Sequence, residues 1–178
     1  MERKVHLRRP RLEDGAGLHR LISDCPPLDV NSAYLYFLLC DQFRNTCVVA
    51  DDGDRLLGAI TAYVRPDDPD ALFIWQVAVH ADARGRGLGK RMLTEVAGRD
   101  AAASCLRMET TISPSNTASR RLFASWAESR GATLREAPYL EPHHFNPVGE
   151  TDTHEAECLF QLHPLHPSPH SPPSGESI

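Results

Sequence analysis

The segment VHADARGRGLGKRML, residues 79–93, decides the fold, because it joins an apolar run to a helical pattern through a loop with alternating glycines. The preceding run, ALFIWQVAVH at 71–80, has the continuous apolar character of a strand at a sheet centre. The residues after it, LGKRMLTEVAGRD at 88–100, repeat apolar positions at helical spacing. Amides at the start of a helix lack partners and favour an anion. The loop is therefore predicted to bind phosphate.

Two familiar phosphate-binding loops do not fit this segment. A Walker A loop needs a glycine where Arg84 stands and a hydroxyl residue where Arg91 stands, and that hydroxyl is the usual magnesium ligand. A dinucleotide-binding loop needs its third glycine where Lys90 stands. What remains is the pattern R-x-x-G-x-G, formed by Arg84, Gly87 and Gly89. This pattern suits a pyrophosphate bound without a metal ion.

The composition narrows the class of protein. The 178 residues carry a net charge of −5, with 41% hydrophobic and 24% charged residues, which is typical of one globular domain and argues against a nucleic-acid-binding protein. No apolar run reaches the roughly 18 residues of a membrane helix. The N-terminal MERKVHLRRP lacks the apolar core of a secretory signal. Five unevenly spaced cysteines indicate reduced thiols in the cytoplasm rather than disulfides or a metal site.

The patterns along the chain run in the order strand, two helices, three strands, helix, strand, helix, two strands. A hairpin is indicated at Asp52-Gly53-Asp54, whereas the middle of the chain alternates strand and helix. This order predicts an α/β fold with a mixed sheet and helices on both faces. Residues 1–162 are predicted to form one domain. The last residues, 163–178, are rich in proline, histidine and serine and are predicted to be a disordered tail.

The loop and a later segment together resemble one family. VAVHADARGRGLGKRML, residues 77–93, is similar to the acetyl-coenzyme A loop of the GNAT acetyltransferases, and PSNTASRRLF, residues 114–123, is similar to their second cofactor element. The resemblance implies a central twisted sheet of six to seven strands whose central pair splays apart, so that free backbone of one strand pairs with the pantetheine arm. It assigns acetyl-CoA to Val77, Val79, Arg84, Gly85, Arg86, Gly87, Leu88, Gly89, Lys90 and Asn116.

Four further blocks resemble a narrower group, the L-2,4-diaminobutyrate acetyltransferases of ectoine biosynthesis. They are CPPLDVNSAYLYFLLC, RPDDPDALFIWQVAV, METTISPSNTASRRLF and HEAECLFQL, in that order along the chain. This resemblance implies transfer of an acetyl group from acetyl-CoA to the 4-amino group of L-2,4-diaminobutyrate. It also implies a cytoplasmic homodimer, for which the apolar helix at 32–43 is the expected interface, and no metal, membrane or nucleic-acid partner.

Such a substrate carries two amines and one carboxylate, so the site needs acidic groups and a base. Asp29, before the second predicted helix, is a candidate partner for the α-ammonium group. Glu109 lies within the apolar strand CLRMETTI, where an acid is costly unless it is paired. We expect Glu109 to line the cleft, and a salt bridge to an arginine is the alternative.

Aromatic and polar residues complete the expected substrate pocket. Trp75 lies two residues before Val77, so strand alternation predicts that they share a face. The resemblance favours Tyr34 in the pocket, whereas Tyr36 is as well explained by packing. Gln76 and Thr111 are weaker candidates of the same kind.

The sequence THEAE opens the last predicted strand and brings His154, Glu155 and Glu157 toward the cleft. A histidine exchanges protons near neutral pH, so His154 is the candidate general base, with Glu109, Glu155 or water as alternatives. Many GNAT enzymes place a tyrosine where this chain has Phe123, which leaves the acid that protonates the coenzyme A thiolate open between water and Tyr34. The catalytic candidates are His154, Glu109 and Tyr34.

Two other functions stay open from the sequence. One is acetylation of a different amine, such as a polyamine, an aminoglycoside or a protein N-terminus. The other is a coenzyme A-binding module without catalytic activity. A closed ladder between the strands at 72–79 and 105–111 would contradict the cofactor assignment.

Overall fold

A computed structural model describes residues 4–145 and 154–166 of the chain. The described residues form a seven-stranded sheet with the strand order β1-β2-β3-β4-β5-β7-β6. The strands are β1 (His6–Arg8), β2 (Val48–Asp51), β3 (Leu56–Arg65), β4 (Asp68–Val79), β5 (Arg107–Ile112), β6 (Thr133–Leu140) and β7 (Glu157–His163). The helices are α1 (Gly15–Ser23), α2 (Ala33–Asp41), α3 (Leu88–Ala97) and α4 (Thr117–Ser129).

The element order confirms the order predicted from the sequence. The pair β4 and β5 is parallel, while the other neighbouring pairs in the sheet are antiparallel. The sheet is therefore mixed. The connection from β4 to β5 contains α3, since two parallel strands require such a crossover.

Helices cover both faces of the sheet and form two apolar cores. On one face α3 and α4 bury a large cluster that includes Met92, Phe123 and Trp126. On the other face α1 and α2 pack over β2, β3 and β4 and bury a smaller cluster around Leu18 and Tyr36. Amphipathic helices on a two-faced sheet bury apolar side chains on both sides, and this burial is the main stabilising contribution to the fold.

The central parallel pair separates along its length. Only Ala71–Phe73 of β4 pair with Arg107–Glu109 of β5, and the register ends where Phe73 lies opposite Glu109. In the described chain, the last six residues of β4, 74–79, have no pairing with β5. The predicted splay is therefore present, and it opens a cleft between the C-terminal ends of the two strands.

A β-bulge lies where the cleft opens. Thr61 of β3 pairs with Gln76 and Ala62 pairs with Ile74, so Trp75 is an extra residue on β4. Ile74 and Val77 both pack toward α3 and α4, which strict alternation would forbid. The alternation that predicts one shared face for Trp75 and Val77 is thus interrupted between them.

The described chain continues a few residues past position 162, where the sequence predicts the end of the domain. β7 extends to His163, Leu165 is fully buried in the α3/α4 core, and His166 contacts the carbonyl of Ala102 at 3.2 Å. Residues 167–178 of the predicted tail lie outside the described residues. Within the described ranges, no helix is long and apolar enough to cross a membrane.

Candidate active site

The splay forms one wall of a cleft of about 250 Å³ between β4 and α4. Its lining combines Val77 and Val79 of β4 with Asn116, Ser119 and Leu122 at the start of α4. The loop after α1 closes the other side. An elongated ligand entering here meets unpaired strand backbone on one side and a helix N-terminus on the other.

The loop at 84–89 has the backbone expected of a phosphate-binding loop. Gly85 and Gly87 have φ values of +74° and +68°, which lie in the left-handed region that favours glycine. A Cβ at either position would meet no atom within 4 Å, so these glycines serve backbone conformation and face open space. Gly87 caps α3 without a side-chain hydrogen bond, which leaves the first amides of the helix available to an anion.

Other residues assigned to the cofactor take different places. Arg84 lines the cleft and donates from Nε to the carbonyl of Val79 at 3.0 Å. Leu88 is buried in the core, so only its backbone faces the loop. A Cβ on Gly89 would approach the Leu122 methyls to 3.1 Å, which indicates that this glycine allows α3 and α4 to pack closely. Lys90 lines a depression on the outer side of α3 rather than the cleft, and Arg86 is exposed.

Asn116 is both a helix cap and part of the cleft wall. Its Oδ1 accepts the backbone N–H of Ser119 at 3.1 Å, so the oxygen is used within the chain. The side-chain amide nitrogen of Asn116 is therefore the group that can donate to a ligand.

Glu109 adopts the salt-bridged alternative left open by the sequence. Its side chain is buried, Oε1 accepts from Arg107 and Gln161 at 2.7 Å each, and Oε2 accepts from Arg65 at 3.0 Å. Burial alone would raise the pKa of Glu109, but these hydrogen bonds outweigh it and hold that pKa below its ordinary value. Arg107 also pairs with Asp68. The carboxylate lies on the last paired rung before the splay, where it joins β3, β5 and β7.

The aromatic candidates separate by exposure. Tyr36 is fully buried, and its hydroxyl accepts the backbone N–H of Asn31 at 3.2 Å, so it is a core residue. Tyr34 is 72% exposed and Trp75 is 39% exposed, and their roles in substrate binding stay predictions. Phe123 is buried in the core and has no proton to donate to the coenzyme A thiolate.

Gln76 lies at the mouth of the splay on the side of α1 and α2. Its Nε2 donates to the carbonyl of Asp29 at 2.8 Å, and its backbone N–H donates to the hydroxyl of Thr61 at 3.1 Å. The side chain is only 5% exposed, and its Oε1 has no hydrogen-bond partner among the described residues. The Asp29 side chain is exposed on the same loop.

From the sequence, Glu155 is an alternative base and Glu157 has no role beyond its position near the cleft, yet the structure distinguishes Glu157 by its surroundings. Burial raises the pKa of Glu157, the charges of Asp29 and Glu155 raise it further, and a hydrogen bond with Thr111 lowers it. Glu155 instead accepts the backbone N–H of Ser115 at 3.1 Å, and this bonding lowers its pKa. The signal for Glu157 is its alternation with Leu159 and Gln161, which places it on the face opposite α4.

His154 lies just before β7 and is exposed, with its ring stacked on Phe145 at a centroid distance of 4.9 Å. Its neighbour Glu155 accepts the N–H of Ser115, one residue before Asn116 of the cleft wall, so the segment that carries His154 lies beside the cleft. In the described part of the chain, no three His, Cys, Asp or Glu side chains come together as a metal site.

Comparison with known proteins agrees with this geometry. Residues 16–127 match the model of the acetyltransferase (GNAT) family. The chain is 46% identical over 168 residues to the L-2,4-diaminobutyric acid acetyltransferase of Bordetella parapertussis, covering 94% of this chain and 88% of that protein. It is also 46% identical to the enzyme of the same name from Streptomyces coelicolor, covering 90% and 94% of the two chains.

Solved structures give the same result. The diaminobutyrate acetyltransferase EctA of Paenibacillus lautus, solved in complex with L-2,4-diaminobutyric acid and coenzyme A, superposes with a TM-score of 0.87. Its sequence is 40% identical, and the match covers 92% of this chain and 97% of that one. A structure of the NatC complex, at 16% identity and a TM-score of 0.70, shares the fold alone. The chain therefore belongs to the GNAT acetyltransferase family and, within it, to the L-2,4-diaminobutyric acid acetyltransferases.

Proposed function

We propose that this protein transfers the acetyl group of acetyl-CoA to the 4-amino group of L-2,4-diaminobutyrate, the acetylation step of ectoine biosynthesis. The observation that carries the proposal is the splay of β4 from β5 beyond Phe73 and Glu109, next to the start of α3, which Gly87 caps without a side-chain hydrogen bond. The relatives of known name and the P. lautus complex support the acceptor.

Acetyl-CoA fits the cleft by the chemistry of its lining. The glycine loop and the first amides of α3 offer donors to the pyrophosphate, and Arg84 adds a positive charge. The backbone of Val77 and the N–H of Val79, which have no pairing with β5, can pair with the pantetheine arm, whereas the Val79 carbonyl already accepts from Arg84. Asn116 can donate to the same arm from its side chain. The thioester would then lie where the two strands part.

The acceptor is assigned to the acidic side of the cleft. Asp29 and Glu157 supply negative charge for the ammonium group that is not acetylated, while Thr111 holds Glu157 in place. Tyr34, Trp75, Gln76 and Glu155 complete the proposed substrate site. Glu109 is assigned to the structure of the splay instead, because both of its oxygens are hydrogen-bonded to neighbouring side chains.

The reaction is direct attack by the amine. The neutral 4-amino nitrogen forms a bond to the thioester carbon, the carbon–sulfur bond breaks, and the sulfur takes up a proton. One proton is released overall for each ammonium group acetylated. We assign stabilisation of the oxyanion to a backbone N–H of β4, that of Val77, and removal of the amine proton, directly or through water, to His154.

Product analysis tests the reaction itself. The protein, acetyl-CoA and diaminobutyrate are incubated, and the product is identified by NMR. Acetylation at the 4-nitrogen supports the proposal. Acetylation at the 2-nitrogen, or no product, contradicts it.

The base is tested by His154→Ala, with His143→Ala as a matched control because His143 is an exposed histidine on a neighbouring segment. A positioned general base contributes about 100-fold or more to the rate, so kcat should fall by that order in His154→Ala between pH 6 and 9. The His143 variant should keep its rate. An undiminished rate in His154→Ala would transfer the role to Glu155 or water.

We also propose a cytoplasmic homodimer. The five cysteines are free thiols, which suits a reducing compartment. Val30, Tyr34 and Phe43 are exposed apolar or aromatic side chains on and beside α2, with 51%, 72% and 40% of their surface accessible. Exposed apolar patches of this kind mark interaction surfaces.

A further inference from the structure

Gln76 lies on β4 beyond the last rung that pairs with β5, and its amide has an acceptor without a partner. Only 5% of the residue is exposed, and Oε1 has no hydrogen-bond partner within the described residues. Buried polar atoms in folded proteins are nearly always hydrogen-bonded, because an unpaired one loses its hydration without replacement. A ligand can therefore supply the hydrogen-bond donor that Oε1 of Gln76 lacks.

The orientation of this amide is determined by its other contact. Nε2 lies 2.8 Å from the carbonyl oxygen of Asp29, which accepts and never donates. Turning the amide over would bring two acceptors together at that distance. The oxygen of Gln76 must therefore point away from Asp29, and the hydrogen bond holds it there.

Gln76 lies close, along β4, to the point where the two strands part and where the thioester is proposed to lie. Gln76 is three residues beyond Phe73, the last residue of β4 that pairs with β5, and one residue beyond the bulge. Its backbone is held by Thr61, so the side chain projects from a rigid strand. The charged groups around this side of the cleft are Asp29 on the loop after α1 and Glu155 and Glu157 beside β5.

The Gln76 amide and these carboxylates affect a nearby amine differently. A carboxylate beside an amine favours the protonated, non-nucleophilic form, which suits the ammonium group that is only bound. A neutral amide oxygen accepts an N–H without adding a negative charge, so it orients an amine and leaves the nitrogen lone pair available for attack. Resting on the proposed function, we infer that Oε1 of Gln76 accepts a hydrogen bond from the 4-amino group of diaminobutyrate and orients it toward the thioester.

Two substitutions at Gln76 and one beside it test this inference. Gln76→Met keeps the volume and removes both the acceptor and the hydrogen bond to the Asp29 carbonyl. We expect kcat to fall about tenfold, because the amine of the bound substrate loses its hydrogen-bond partner. Gln76→Glu keeps an acceptor, and its carboxyl group can donate to the Asp29 carbonyl only while it is protonated. Ionisation places a negative charge beside the amine, so the acidic limb of the kcat profile should move up by about one pH unit or more. Thr61→Val removes the hydrogen bond to the Gln76 backbone and controls for disturbance of the bulge, so it should leave that limb in place.

Acetyl-CoA affinity, measured by calorimetry, should stay within about twofold of wild type in Gln76→Met, which shows that the cleft is intact. Wild-type kcat in Gln76→Met, or an unmoved acidic limb in Gln76→Glu that still binds acetyl-CoA, would overturn the inference and assign the oxygen to water. If Gln76→Glu does not bind acetyl-CoA, the kcat of Gln76→Met alone tests the inference, and a wild-type value overturns it. Wild-type protein that fails to acetylate diaminobutyrate would instead overturn the proposed function, and this inference with it.

Discussion

At the scale of single residues, two glycines and two carboxylates carry the proposed binding of cofactor and substrate. Gly85 and Gly87 adopt left-handed backbone with open space around them, a conformation that glycine takes without strain. Glu157 and Glu155 are two positions apart in sequence, yet their surroundings shift their pKa values in opposite directions. The first feature is readable from the sequence, and the second is not, because it depends on burial and on Asp29 from a distant loop.

Gly87→Asp should abolish productive acetyl-CoA binding. The carboxylate would lie at the N-cap of α3, where it competes for the helix amides and repels the pyrophosphate. Losing these charge-assisted contacts should raise the dissociation constant on the order of 100-fold in a calorimetric titration. Gly131→Asp is the matched control, because Gly131 has a φ of +66° and open surroundings at the far end of α4. Equal loss of binding in both variants would contradict the loop assignment.

Glu157→Gln should separate stability from substrate binding. Because folding raises the pKa of Glu157, its ionised form destabilises the folded state increasingly as the pH rises through the folded value. At pH 7 the variant should therefore have a larger free energy of unfolding than wild type. The Michaelis constant for diaminobutyrate should rise about tenfold or more, because a charged hydrogen bond to the ammonium group is lost.

Glu155→Gln is the control with the opposite sign. Folding lowers the pKa of Glu155, so its ionised form stabilises the folded state above its unfolded pKa, and this contribution is lost as the pH falls. Glu155→Gln should be less stable than wild type at pH 7 in denaturant unfolding. If both variants were less stable than wild type, a neighbouring group would have to stabilise the ionised form of Glu157 in the folded protein.

At the scale of elements, the order of strands and helices could be predicted because each is a local pattern. The central strand, the glycine loop and the capped α4 all carry signals within a few residues. The bulge at Trp75 could not be predicted, because no glycine or proline marks it and it depends on pairing with Thr61 and Ala62. The hydrogen-bond partners of Glu109 could not be identified from the sequence either, since Arg65 and Gln161 lie 44 and 52 residues away.

The cluster around Glu109 should control the stability of the splay rather than the chemistry. Glu109→Gln removes a buried acceptor from two arginines and should lower the free energy of unfolding by about 1–3 kcal/mol at pH 7. The difference from wild type should shrink as the pH falls through the depressed pKa of Glu109, because the wild-type carboxylate then becomes neutral too. Both effects are measured by urea unfolding across pH.

An exposed ion pair serves as the control for that cluster. Glu136→Gln removes the partner of Arg120 on the surface between α4 and β6, where ion pairs contribute little. It should leave unfolding nearly unchanged. A stability loss in Glu136→Gln as large as that in Glu109→Gln would show that burial is not what makes Glu109 important.

At the scale of the whole molecule, the fold brings together groups from both halves of the chain. The loop after α1, the bulge of β4 and the start of β7 come together near the splay, so the proposed substrate site forms only in the folded protein. The apolar surface around α2 belongs to this scale as well, because the core does not cover it and we propose that a second copy of the chain does. The sequence predicted an apolar helix there but could not divide its buried face, at Tyr36, Leu39 and Cys40, from its exposed one.

Phe43→Glu should convert the proposed dimer to a monomer in sedimentation velocity, because it places a charge in the exposed apolar surface beside α2. Leu106→Glu is the control, since Leu106 is similarly exposed, at 54%, just before β5. It should leave the sedimentation coefficient unchanged. A Phe43 variant that sediments like wild type would exclude this surface as the interface.

The most direct test of the central claim is substrate selectivity, measured as kcat/KM for L-2,4-diaminobutyrate and for ornithine by release of the free coenzyme A thiol. Ornithine carries one additional methylene, and a site shaped for the shorter chain discriminates by about tenfold or more for such a difference. We predict that diaminobutyrate has the higher kcat/KM by at least that factor. A kcat/KM for ornithine equal to or above that for diaminobutyrate would contradict the assignment.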